Sequence, residues 1–171
     1  MLTLVEFSDY QCPFCARHFR ETLPELEREY ITTGKVTYVF RDFPIASLHP
    51  TAAKAHEGAH CAGEQGKYWE MHARLFANQK AQSPQDVSQH AEAFGLNMPT
   101  FQQCLESGKH AAKIREAIAE GQKAGVRGTP TFFLGLSQPN RSQLKARKVI
   151  RGAHPYALFQ QAIEGLLSSR E

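Results

Sequence analysis

The sequence predicts an α/β fold: a βαβ unit first, then a stretch made only of helices, then a ββα unit. Three observations carry that prediction. Short runs rich in β-branched and aromatic residues lie at 2–7, 35–41 and 131–134, whereas the residues from Pro50 to Ala124 have helical apolar spacing. A pair of cysteines, Cys12 and Cys15, sits where the first strand hands over to the first helix. That is the carboxyl edge of a sheet, where α/β folds place their sites.

Leu2 to Phe7 has the composition of a buried strand, and Ser8 to Gln11 form a loop into the first helix. Phe19, Leu23, Leu26 and Tyr30 recur at steps of four, three and four, a stripe that Pro24 should kink or break and Gly34 should end. Lys35 to Arg41 is a second strand, and a crossover of this length makes it a parallel neighbour of the first. Helices follow over 51–64 and 67–77, then from Ser83 as N-cap to Gly95, from Asn97 to Gly108, and over 111–124. Trp69, Leu75 and Phe76, then Val87, Ala91 and Phe94, and finally Ile114 and Ile118 supply their apolar positions. We expect residues 49–125 to be a helical insertion between two halves, 1–48 and 126–171, forming a lid or platform beside the cysteine pair. Thr131 to Leu134 is a third strand, Gly135 to Ala146 a polar connection, and Lys148 to Arg151 a fourth strand in an antiparallel hairpin. Pro155 opens a last helix with Leu158, Phe159, Ala162, Ile163 and Leu166 inward.

At 171 residues the chain suits one domain with a substantial core. With 22% charged and 42% hydrophobic residues, and no run near 18 apolar ones, it has a globular composition and no spanning segment. The net charge of +3 is small. Lys145, Arg147, Lys148 and Arg151, in the segment from Arg141 onward, lack interleaved aromatics, so they describe the solvated face of an edge strand before a nucleic-acid surface. No basic and apolar leader precedes the first strand. Either the chain is cytoplasmic or it begins after a removed segment, and the abrupt start favours the second.

Cysteines three apart at the start of a helix lie on one face, about 5–6 Å apart, close enough to form a disulfide without backbone movement. A thiolate at Cys12 would meet unpaired N–H groups and the positive end of the helix dipole, which lower a thiol pKa. Attack on a disulfide, or release from a mixed one, then becomes feasible near neutral pH. The spacing alone does not separate redox chemistry from half a zinc knuckle. Of the other two cysteines, Cys61 and Cys104 each fall in a helix, as a second disulfide or as two buried thiols.

Four stretches, VEFSDYQCPFC, YVFRDFPI, the HP-x-A-x-x-A segment running on through Cys61 to KYWEMHARLF, and GVRGTPTFFLG, together resemble the DsbA-like branch of the thioredoxin superfamily. The resemblance covers most of the chain. It implies a thioredoxin fold whose usual opening strand is missing here, and a thiol:disulfide oxidoreductase with no cofactor. By that resemblance Cys12 is the nucleophile and Cys15 the resolving thiol. Pro130 is a cis proline opposite the dithiol, Thr129 offers backbone hydrogen bonds to a bound cysteine peptide, and Pro13 and Phe14 belong to the substrate surface. Glu6, six positions before Cys12, matches a buried carboxylate that takes the Cys15 proton, its pKa raised by desolvation. Phe14 stands where strong oxidants of the family often carry histidine. It can give the Cys12 thiolate neither a hydrogen bond nor a positive charge, so an intermediate potential is expected.

The resemblance further implies client proteins with cysteine thiols as partners, a membrane-bound quinone-linked reoxidising partner, a periplasmic or other extracytoplasmic location, and a monomer. Two other classes stay open on sequence. A metal module would hold zinc or copper with the dithiol and His18 or another histidine, although zinc wants four ligands and no second C-x-x-C or paired H-x-H appears. A peptide-binding chaperone would use the groove at Pro130 without turnover. His49, His56, His60, His72, His90, His110 and His154 are scattered and are assigned to the surface or to helix packing.

Overall fold

A computed structural model describes residues 1–138 and 143–169. Arg141 and part of the polar connection expected after Gly135 lie outside them. Four strands form one sheet in the order β2-β1-β3-β4: β1 (Leu2–Ser8), β2 (Val36–Asp42), β3 (Thr131–Ser137) and β4 (Leu144–Arg151). β1 runs parallel to β2 and antiparallel to β3, and β3 and β4 form the antiparallel hairpin. β1 is therefore central, which is why its residues are apolar on both faces. Period two puts Leu2, Leu4 and Glu6 on one face and Val5 and Phe7 on the other.

That alternation separates the cores. Leu2 and Leu4 join Leu26, Tyr30, Phe132, Leu134, Phe159 and Ile163 in one cluster, while Phe7 packs with Phe43, Val126 and Phe133 in another. Glu6 is thus carried into the first core by its register. At β4, an edge strand, Lys145, Arg147, Lys148 and Arg151 are exposed.

The first crossover contains α1 (Pro13–Glu21), α2 (Leu23–Leu26) and a π-helical turn, Glu27–Ile31. The stripe is broken as expected, α1 ending at Glu21 and α2 starting at Leu23, and Pro24 does not kink a continuous helix. It occupies the first turn of α2, where its missing N–H has no helical partner to lose. Leu23, Leu26 and Tyr30 are buried as their spacing predicts.

Between β2 and β3 come α3 (Ala52–Gly63), α4 (Tyr68–Ala77), α5 (Pro84–Ala93), α6 (Met98–Ser107) and α7 (Ala111–Lys123). Ser83 and Asp86 form a capping box on α5, and Asn97 caps α6. Tyr10, Cys12 and Cys15 from the strand-to-helix junction share a core with Ala55, Ala59, Met71, Leu75, Phe76, Val87 and Phe101 of these helices. The helices are therefore packed directly against the dithiol end of the sheet. Trp69 is exposed, and Met71 and His72 take the inward places on α4. In α8 (Tyr156–Ser168), Phe159, Ala162 and Ile163 are buried but Leu158 faces solvent. Both departures have one cause: a helix of period 3.6 has one inward stripe, and these residues lie off it. No helix among the described residues is long and apolar enough to cross a membrane.

Candidate active site

After β1 only three residues separate Ser8 from Cys12, the N-cap of α1, with Pro13 in the first turn. No side chain caps this end. The unpaired N–H groups of the first turn and the positive end of the helix dipole are therefore left to the Cys12 sulfur. Cys12 and Cys15 are both free thiols, with Cys15 fully buried. The Cys12 thiol is held down to about 6, mainly by a hydrogen bond from Cys15 and against the effect of burial, with help from Thr129 and the N–H groups of Cys15 and Phe14. Burial first, and then the neighbouring Cys12, push the Cys15 thiol well up. Adjacent sulfurs thus differ in role: one ionises readily and one keeps its proton.

Opposite the dithiol, the Thr129–Pro130 peptide bond is cis and Pro130 is buried. The Thr129 carbonyl accepts the Cys12 S–H at 3.4 Å. The Thr129 hydroxyl is buried with no hydrogen-bond partner among the described residues. Once Cys12 ionises the carbonyl contact becomes repulsive, and this hydroxyl is the Thr129 donor that can serve the thiolate. Pro13 and Phe14 are exposed at the rim, the Phe14 ring lying under the Arg17 guanidinium at 5.3 Å.

Beneath the pair, Glu6 is 2% exposed and accepts a hydrogen bond from the Tyr38 hydroxyl. Desolvation raises its carboxyl to about 7, with the Tyr38 bond opposing. His18 lies behind it with Nε2 3.7 Å from Glu6 Oε2, and burial lowers His18 to about 3, so the ring is neutral. Glu6 therefore exchanges its proton near neutrality without a buried cation beside it.

Sequence reasoning did not single out the groups that hold the Ser8 to Cys12 loop. Asp9 is fully buried and accepts the N–H groups of Gln11 at 2.9 Å and Ile45 at 2.8 Å, with His49 Nδ1 at 2.8 Å. Gln79 donates to the carbonyls of Tyr10 and Cys12, and Gln82 to that of Tyr10. The Tyr10 N–H reaches His56 Nε2 at 3.3 Å, and His56 Nδ1 binds Asp42 at 2.7 Å while His60 Nε2 binds the other Asp42 oxygen at 2.6 Å. Burial opposes charge on Asp42, yet the two imidazoles hold its carboxyl below the usual carboxylate range. Of the histidines assigned to packing or surface, His49, His56 and His60 thus bond to buried carboxylates. The four-residue spacing of His56 and His60 on one helix was the signal available. Cys61 and Cys104 are joined in a disulfide with Cα atoms 5.9 Å apart, tying α3 to α6.

A family model described as Thioredoxin matches residues 1–150. The chain belongs to the thioredoxin family. Within it, the fold is of the DsbA-like kind with a helical insertion: this thioredoxin-family chain superposes on Wolbachia pipientis alpha-DsbA1 with a TM-score of 0.85, covering 98% of this chain and 86% of that one at 24% identity. Among curated relatives, the Na(+)/H(+) antiporter NhaA 3 of Salinispora tropica is 35% identical over 133 residues, 78% of this chain but 20% of that protein. The chain spans about a fifth of the length of this relative. The probable disulfide bond formation protein D of Bacillus anthracis is 26% identical over 151 residues, 83% of this chain and 70% of that protein.

Proposed function

We propose that this thioredoxin-family chain is a thiol:disulfide oxidoreductase that passes a disulfide from Cys12–Cys15 to client proteins. One observation carries the reading: a hydrogen bond from Cys15, helped by Thr129 and the first-turn N–H groups, lowers the Cys12 thiol to about 6 while burial raises Cys15 beside it. In the oxidised enzyme a client thiolate attacks Cys12 Sγ, and the Cys12–Cys15 bond breaks with its electron pair on Cys15. Protonated Glu6 gives that buried thiolate its proton. A second client thiolate then attacks the client sulfur of the mixed disulfide, and Cys12 leaves as a thiolate, favoured by its low pKa. The client gains a disulfide and the enzyme retains two electrons. Thr129 and Pro130 receive the client backbone, and Pro13 and Phe14 line its approach. Return to the oxidised state takes an electron acceptor, for which a membrane-bound quinone-linked partner outside the cytoplasm fits the family pattern, and the chain acts as a monomer.

The test is the equilibrium of the Cys12–Cys15 couple with glutathione, thiols being counted by mass after alkylation. A potential above that of thioredoxin, near −270 mV, supports disulfide donation, and a value at or below it makes the enzyme a reductase. Absence of a two-electron couple would end the redox reading.

A further inference from the structure

Within the helical insertion a cluster of soft ligands surrounds the second cysteine pair. We propose that Cys61, Cys104 and His110 form a zinc site when the Cys61–Cys104 disulfide is reduced. This proposal does not depend on the dithiol chemistry of Cys12 and Cys15. The two sulfurs and one ring nitrogen of His110 lie within 4.8 Å of one another. Zinc bound at about 2.3 Å from sulfur and about 2.0–2.1 Å from nitrogen needs tetrahedral ligand atoms roughly 3.5–4 Å apart, a small adjustment once the S–S bond opens.

Three helices converge here: Cys61 on α3, Cys104 on α6, and His110 at the N-cap of α7 after the left-handed turn at Gly108 (φ 66°). A second, independent observation concerns the imidazole. His110 Nε2 is bonded to Glu64 Oε1 at 2.9 Å, and Lys109 Nζ holds the same oxygen at 2.6 Å. An Nε2–H donated to a carboxylate fixes the tautomer whose Nδ1 carries the free lone pair. Metal-bound histidines are oriented in this way. The His60 ring stacks on His110 with centroids 5.3 Å apart and limits its rotation. Two thiolates and one imidazole leave the fourth position to water.

The electrons come from a thiol or phosphine reductant. A phosphine takes oxygen from one water, becoming the phosphine oxide, and the disulfide becomes two thiols. Zinc then displaces one proton from each thiol, so two protons are released per metal.

The experiment uses the full chain carrying C12S and C15S, so that the other pair cannot bind metal. It is reduced with a phosphine, separated from it without air, and titrated with zinc against a chromophoric chelator. The expected result is one zinc per reduced chain, two protons released, and none bound by the oxidised chain. His110→Ala, at a side chain 18% exposed, should weaken binding at least about tenfold, and Glu64→Gln about tenfold. The proposal is overturned if adding C61S and C104S leaves the affinity unchanged, or if His110→Ala does. It is equally overturned if reduction abolishes the helical circular dichroism and zinc fails to restore it.

Discussion

At the scale of single residues, two side chains beside the dithiol put the proposed chemistry to the test. Glu6 is raised from 4.5 to about 7 by burial, so between those values the folded chain holds a proton that the unfolded chain has released. Stability therefore falls as pH climbs from about 4.5 to about 7 and stays lowered above it, by on the order of 3 kcal/mol. Glu6→Gln keeps the shape without the charge. It should match the parent in urea midpoint at pH 4 and exceed it at pH 8, while slowing formation of the mixed disulfide, because the Cys15 thiolate expelled in that step loses its proton donor. Phe14, 56% exposed, is the second control point. Phe14→His places a donor, and below neutrality a cation, beside the Cys12 thiolate. We expect the half-maximal pH for alkylation of Cys12 to drop and the potential to rise by about 30 mV for each 1.4 kcal/mol by which the reduced form gains.

At the scale of elements, the packing of α3 governs the insertion. The Cys61–Cys104 link closes a loop with a sequence separation of 43. On the chain-entropy account its removal costs about 4 kcal/mol, and the double substitution to alanine should lower the urea midpoint by the corresponding amount with the m-value little changed. Gly58 sits where α3 meets α5, and a Cβ there would collide with Val87 Cγ1. Gly58→Ala should cost about 1–3 kcal/mol through overpacking despite better helix propensity, and pairing it with Val87→Ala should recover part of the loss. The helical pattern predicts that α3 exists. Its closeness to α5 shows in the sequence only as a glycine in an Ala-rich run.

For the whole molecule, Asp42 is the tie between the sheet and the insertion. It ends β2, holds His56 and His60 of α3, and through His56 reaches the loop that delivers Cys12. Asp42→Asn cannot accept from both imidazoles at once, and the loss should be about 2–4 kcal/mol at pH 7. Because the folded carboxyl is depressed from 3.8, the stability it supplies is fully present above that value and fades as pH falls through the lower folded pKa. Acid unfolding of the parent should therefore steepen below pH 4, and in the variant that limb should flatten. The sequence by itself determined the βαβ start, the hairpin, the last helix and the placing of Cys12 at a helix N-terminus, since each depends on neighbours within about ten residues and on the two backbone periods. The family resemblance supplied Glu6 and the Thr129–Pro130 peptide. The meeting of distant residues came from tertiary packing alone: the Cys61–Cys104 pair, His110 beside it, the bonds of Asp42 to two imidazoles, the glutamine bonds to the Tyr10 and Cys12 carbonyls, and the burial that separates the two thiols. Desolvation and long-range hydrogen bonds depend on what surrounds an atom, and in a chain whose contacts span so many residues no local pattern records that.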